Sequence, residues 1–350
     1  MTHRVSNPRY LVGIVCLIVL ASAPLLLDVL TLRQLSSALF LGMFAMSWDY
    51  VSGYTGQLSF GHSMFFGIGG YTAAVLNLNF GYSPVLTILA GTVAAGIAGL
   101  LVGVPALRLR GPYLALITLI VPLVLVQIVN IFPDTLGGEG GLQGLDPLIA
   151  VDEPIGILSA IGFEGTFEHR VVVYYYVALA LFLAIYALFY VFTRSYVGSI
   201  FTAIREDEDA VRAVGVNAAK FKVFAFTMSG VIGGLAGATL VHTVSNPAPG
   251  QILELFVSVE VVLIGFLGGM GTITGPAAAG IVWYFVKDAL QTSNAAIPIL
   301  GTPIGEIWQV LFFFVALLVL FALPKGVLPW LSDLSRTVME RREQRAEPAS

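Results

Sequence analysis

This chain of 350 residues is poor in cysteine, histidine and charge, and each shortage closes off a class of function. Its one cysteine, Cys16, excludes an intramolecular disulfide. Its four histidines, His3, His62, His169 and His242, are scattered and offer none of the His-x-x-x-His or cysteine-rich spacings that hold a metal ion. No Gly-x-x-x-x-Gly-Lys-Ser/Thr stretch occurs, so the chain has no phosphate loop and any energy it uses comes from elsewhere. A Gly-x-Ser-x-Gly elbow, a His-Glu-x-x-His helix and carboxylates paired at catalytic spacing are missing too, which leaves a membrane enzyme without a reactive centre. No cofactor is expected on this chain, and no nucleic-acid partner.

Apolar residues dominate instead: 57% of the chain is hydrophobic against 11% charged, with a mean hydropathy of +0.89. A helix needs about 20 apolar residues to cross about 30 Å of hydrocarbon. The pattern predicts an all-α polytopic membrane protein in a lipid bilayer, with ten spans near 11–30, 36–51, 61–79, 84–107, 113–132, 171–193, 223–244, 256–270, 275–292 and 305–323. The spans 36–51 and 256–270 are short and read as broken or tilted. Arg4, Arg9, an apolar run and Ala21-Ser22-Ala23 superficially fit a secretory signal. The length of that run and Pro24 directly after the would-be cleavage site favour a retained span.

Basic residues fix the orientation. Arg4 and Arg9 precede the first span, Arg108 and Arg110 follow the fourth, five basic residues lie in 194–222, and Lys325, Arg336, Arg341, Arg342 and Arg345 follow the last. Segment 133–170 instead carries seven acids (Asp134, Glu139, Asp146, Asp152, Glu153, Glu164, Glu168) and belongs outside. Ten spans reconcile all these assignments and put both termini in the cytoplasm.

Segment 194–222 holds nine of the 38 charges. Asp207 is placed to cap a short helix, with Glu208 and Asp209 in the first turn, where the helix dipole favours carboxylates. Gly215 is placed to end it and Asn217 to cap the next helix. Ala210, Val211 and Val214 would form an apolar edge suited to a groove on a soluble partner. The plainer alternative is a solvated connector, the usual role of a charge run.

Two glycine-rich blocks stand in comparable places in the two halves: Gly53-Tyr-Thr-Gly-Gln57-Leu-Ser-Phe-Gly61-His62 with its extension to Ala74, and Gly265-Phe-Leu-Gly-Gly-Met-Gly271 with its extension to Gly280. Small residues allow close helix packing in lipid. Interrupted helices in paired positions also point to a transport pathway.

The stretch from Gly53 to Ala73 resembles the signature of branched-chain amino acid ABC importer permeases of the LivM type. So do Leu107–Ala115, Ala203–Asn217, Val259–Pro276 and Leu323-Pro-Lys-Gly326, in the family's order. The resemblance implies a permease domain over 1–323, with an extracytoplasmic segment 133–170 and a coupling loop 194–222, followed by a cytoplasmic tail over 324–350. It implies half of a pore for leucine, isoleucine or valine, paired with a second homologous permease, two ATPases that bind ATP-Mg, and an extracytoplasmic binding protein. Asp209-Ala210-Val211 with Gly215 is similar to the family's ATPase-docking pattern, with Asp for Glu and Val for the second Ala. Arg205, Glu206, Asp207, Glu208, Asp209, Ala210, Val211, Val214 and Gly215 are therefore the expected coupling residues. Thr55, Gly56, Gln57, Ser59, Gly61, His62, Glu260, Gly268, Gly269 and Gly271 are the expected pathway residues. Glu260 is also read as a structural carboxylate that accepts backbone N–H bonds at the broken helix, and His62 as locally hydrogen-bonded. Asp28, Lys287, Asp288 and Glu306 are set aside as lying near outer span ends, where water is close. Urea or short amides are alternative cargoes. A secondary transporter using Asp49 or Glu260 as its ion-coupling carboxylate is a different class of function.

Overall fold

Asp28 sets the first turn of the fold. Its carboxylate accepts from the backbone N–H groups of Leu30 and Thr31 at 3.1 and 3.2 Å and from Thr31 Oγ1 at 2.6 Å. These bonds, the Thr31 hydroxyl foremost, hold the carboxyl below its usual pKa. This cap starts α2 at Val29, so α1 (Pro8–Leu26) ends before the predicted limit of the first span. The structure, a computed structural model, describes residues 8–106, 112–150, 155–160, 162–163, 165–244, 248, 252–295 and 302–322. Arg4, the segment 107–111, Asp152, Glu153, Glu164 and the tail 324–350 with its basic residues lie outside the described residues.

The chain continues through α2 (Val29–Thr55), α3 (Ser63–Phe80), α4 (Pro84–Ala106), α5 (Pro112–Ile131), α6 (Pro133–Leu136) and α7 (Gly156–Ala160). It goes on through α8 (Thr166–Thr193), α9 (Tyr196–Glu206), α10 (Glu208–Ala213), α11 (Ala218–Val244), α12 (Leu255–Gly268), α13 (Thr274–Gln291) and α14 (Ile304–Ala322). The architecture is all-helical, with no strand among the described residues. Five of these helices, α2, α4, α5, α8 and α11, are long and apolar enough to cross a membrane, while α1, α12 and α14 carry shorter apolar stretches. The predicted span 36–51 is not short or broken: it lies within the continuous 27-residue α2, which runs on past Arg33 and Gln34 on one side and through Ser52 to Thr55 on the other. The second short span corresponds to α12, with 14 residues.

The helices α2 and α11 form the centre. α2 packs against α8, α11, α12 and α13, and α11 against α3 and α4. Lipid offers helices no hydrophobic drive to associate, so close contact depends on small residues. A methyl group on Gly69 of α3 would strike the backbone of Gly234 of α11, and one on Gly91 of α4 would strike the carbonyl of Gly69. Three helices thus meet backbone to backbone. The opposite faces of α4 and α5 expose Leu86, Leu89, Val93, Leu116, Ile120 and Val124, an apolar surface of the kind lipid covers.

Candidate functional site

Between α8 and α11 the local chemistry follows the sequence closely. Asp207 Oδ1 accepts from the N–H groups of Asp209 and Ala210 at 3.0 and 2.9 Å and starts α10. Gly215, at φ +84°, follows the end of α10, and Asn217 Oδ1 caps α11 by accepting from Lys220 N at 3.1 Å. Glu208 ties the unit together, accepting from Arg212 at 2.5 Å and pairing at 3.2 Å with Lys222, which is 1% exposed. The predicted apolar edge needs correction at one residue. Val211 turns inward onto Ile200, Ile204 and Ala218, because the face of α10 that lies on α9 must itself be apolar. Ala210 and Val214 stay outside, Val214 being 77% exposed.

Arg205, near the end of α9, joins this segment to both glycine blocks. Its Nη1 donates to Gly53 O at 2.6 Å. Its stem lies over Gly56, where an added Cβ would sit 3.0 Å from Arg205 Cγ. On the other side, a Cβ on Gly271 would come within 2.6 Å of Arg205 Nη1. Gly56 and Gly271 have φ of +71° and +76°, a conformation that glycine takes without strain. One side chain therefore touches the end of α2 and the link between α12 and α13.

Asp49, fully buried on α2, holds that second link. Its Oδ1 accepts from Gly271 N at 2.6 Å and its Oδ2 from Ile273 N at 2.9 Å. Ile273 has φ +57° and ψ −52°, the centre of a tight turn closed by Thr274 N donating to Thr272 O at 2.6 Å, a positive-φ conformation rare for a β-branched residue. Accepting backbone N–H groups at the broken helix is the task expected of Glu260, and the structure gives it to Asp49. Glu260 instead accepts from Trp283 Nε1 and pairs with Lys287 Nζ, both at 2.8 Å. Lys287, near the end of α13, is 26% exposed and lies 5.7 Å from the centre of the Trp308 ring, so it is held by partners that its place near a span end does not reveal. Their spacing on consecutive helices, α12 and α13, is the signal that could have revealed this pair.

The first glycine block includes the link between α2 and α3, residues 56–62, which is buried at Ser59, Gly61 and His62. Trp48 Nε1 donates to Ser59 O at 2.8 Å, Ser52 Oγ donates to Gln57 O at 3.1 Å, and Phe60 N donates to Thr118 Oγ1 at 3.1 Å. A methyl group on Gly61 would strike the carbonyl of Thr118. His62 is fully buried, with Nε2 at 3.0 Å from Ser47 Oγ and 3.2 Å from Ser229 Oγ. Both hydroxyls already donate elsewhere, Ser47 to Phe44 O and Ser229 to Ser47 O. His62 Nε2–H is therefore the donor, and Nδ1 is the bare ring nitrogen, which has no partner. Two serines inside apolar helices, which no motif marks, thus fix this ring.

The expected pathway residues do not share one surface. Thr55, Ser59, Gly61, His62, Glu260, Gly268 and Gly269 are buried, whereas Gly56, Gln57 and Gly271 reach it at least in part. Thr55 Oγ1 bonds back to Val51 O at 2.7 Å, and Gln57 Nε2 to Thr55 O at 3.3 Å. Gly56 and Gly271 are brought together at Arg205, while Glu260 stands apart with Trp283 and Lys287.

The family described as "Branched-chain amino acid transport system / permease component" matches residues 30–321. The chain is 31% identical over 284 residues to the Escherichia coli K12 high-affinity branched-chain amino acid transport system permease protein LivM, covering 76% of this chain and 64% of that one. It is 25% identical over 288 residues to a probable branched-chain amino acid transport permease protein LivM of Methanocaldococcus jannaschii, covering 76% of this chain and 78% of that one. A fructose import permease protein, FrcC, of Rhizobium meliloti is 26% identical over 201 residues, 56% of this chain and 52% of its own length. The chain thus spans less than two thirds of the length of its Escherichia coli relative. No solved structure matches it.

Proposed function

Because this chain belongs to the family of permease components of branched-chain amino acid transport systems and is a membrane protein, we propose that it forms half of the pathway of an ATP-driven importer. The other half is a second homologous permease. Two ATPases bind ATP-Mg and a binding protein delivers the cargo, which we take to be leucine, isoleucine and valine. In this reading the chain crosses the bilayer ten times, with both termini and segment 194–222 in the cytoplasm.

The observation that carries the reading is the reach of Arg205. An ATPase docked on the outer face of α10, at Ala210 and Val214, would displace α9 as a rigid element. Arg205 grips Gly53 O and lies against Gly271, so one displacement reaches both glycine links together. Asp49 keeps the second link in the register that meets this guanidinium. An ion-coupling carboxylate must exchange its proton or ion with water. Asp49 has both oxygens committed to backbone N–H groups and Glu260 both to side chains, which favours the ATP-driven reading over the secondary one.

The test is energetic. In proteoliposomes the chain alone should accumulate no leucine under a proton or sodium gradient, and the full assembly should do so only with ATP. Gradient-driven leucine accumulation by the single chain would sink the reading.

A further inference from the structure

A cavity of about 210 Å³ opens where the start of α2, the start of α8 and the end of α11 diverge, at the ends of these helices remote from α9 and α10. That is about seven times the share of one water in the liquid, room for a small organic acid. Its lining includes Arg33, Arg170, Tyr174, Phe167, Val171 and Thr243. Two guanidiniums line it, and no carboxylate does among the described residues. Arg170 Nε is buried without a hydrogen-bond partner, and the Tyr174 hydroxyl, close to the backbone N–H groups of Ile149 and Leu148, has no acceptor for its proton and is on a side chain only 8% exposed. Buried donors left unpaired are uncommon and unfavourable unless something else satisfies them. Ser36, Ser37 and Thr243, which also line the cavity, spend their hydroxyl protons on the carbonyls of Leu32, Arg33 and Leu240. The unspent buried donors are thus Arg170 Nε and the Tyr174 phenol, with the exposed Arg33 guanidinium at the rim, a set that matches a carboxylate, which accepts a guanidinium side-on and a hydroxyl at its remaining lone pairs. Phe167 and Val171 add an apolar wall beside them.

We propose that this cavity binds the carboxylate of a small organic acid, the α-carboxylate of the amino acid in transit, between Arg33, Arg170 and Tyr174. The inference rests on the importer reading and extends it: in the proposed orientation the cavity lies at the outer mouth, where cargo first leaves its carrier.

The experiment uses the two permeases with their ATPases in phosphatidylcholine nanodiscs, without the binding protein, so that no other component captures the amino acid. Binding of L-leucine, isovalerate and leucinamide is read by saturation-transfer NMR. Leucine and isovalerate should bind and leucinamide, which lacks the carboxylate, should not. Arg170→Gln should weaken leucine binding about ten- to a hundred-fold, and Tyr174→Phe, which removes one hydroxyl and keeps the ring, about ten-fold. Equal binding of leucinamide, no binding of either acid, or binding indifferent to both variants overturns the proposal. Displacement of isovalerate by phosphatidylglycerol added to the discs assigns the cavity to a lipid headgroup and overturns it too. ATP-driven leucine uptake by the complete wild-type system, measured in parallel, reports on the importer reading separately.

Discussion

Replacing Asp49 by alanine tests the claim that one carboxylate sets the geometry of the α12–α13 link. The substitution removes the acceptors of Gly271 N and Ile273 N, bonds of 2.6 and 2.9 Å. A hydrogen bond to a charged group contributes about 1.5–3 kcal/mol, so the pair contributes about 3–6 kcal/mol. Gly271 is partly exposed and water would recover some of its share, whereas Ile273 is 1% exposed and its N–H would stay unsatisfied. Ile273 at φ +57° also carries about 1–2 kcal/mol of backbone strain that only its surroundings sustain. The expected net loss is about 2–5 kcal/mol, a large part of the ~5–15 kcal/mol that usually holds a native protein together. Amide hydrogen exchange at 269–273 in the reconstituted assembly reads this directly. Exchange should quicken at least about thirty-fold in Asp49→Ala, since 1.4 kcal/mol corresponds to about a factor of ten. Asp49→Asn, which keeps one acceptor oxygen, should fall between the two and retain ATP-driven uptake. Unchanged exchange in Asp49→Ala would show that the link is held by something other than this carboxylate.

Three further outcomes are expected. Val214→Asp with Ala210→Asp should prevent copurification of the ATPases while the chain still inserts, whereas Val211→Asp should destabilise the segment itself by burying a charge, seen as faster proteolysis of 194–222; normal copurification with the double variant would remove the docking face. In a Cys16→Ser background, Gln143→Cys should react with an impermeant thiol reagent from outside and Ala219→Cys only after permeabilisation, and the reverse labelling would invert the proposed topology. Lys287→Met leaves the 2%-exposed Glu260 without its cation and should cost about 1–3 kcal/mol after allowance for the partial exposure of Lys287, read as a shorter half-life of the assembly on heating, with Glu260→Gln restoring part of the loss in the double variant.

The sequence made local features legible and long-range partners much less so. Asp207, Gly215 and Asn217 announce their capping roles because a cap depends on residues within one turn. Glycine block positions were equally plain, since a run of small residues is visible without a fold. The direction of Val211 was not: a six-residue helix has too few turns to define a face, and its inner side exists only because α9 lies beside it. Asp49 takes the role expected of Glu260 because its partners, Gly271 and Ile273, lie 222 and 224 residues away, beyond the reach of a local pattern. Apolar length misled at 36–51, where Arg33 and Gln34 hid the true start of a helix capped by Asp28.

Contacts made by backbones have no rotamers to rearrange. Where Gly69, Gly91 and Gly234 bring α3, α4 and α11 together, the helices must either travel as one piece or part entirely, with nothing in between. The seam of α2 with α8 and α9 is built differently: Tyr50 stacks on Phe189 at 4.4 Å and meets Phe201 edge-on at 5.5 Å, side chains that have alternative rotamers where glycine backbones have none. In the proposed importer, a push arriving through α9 would meet a backbone-packed trio on one side and this aromatic seam on the other. Motion in that importer would then be taken up along α2, the helix that ends at Gly56 under the stem of Arg205.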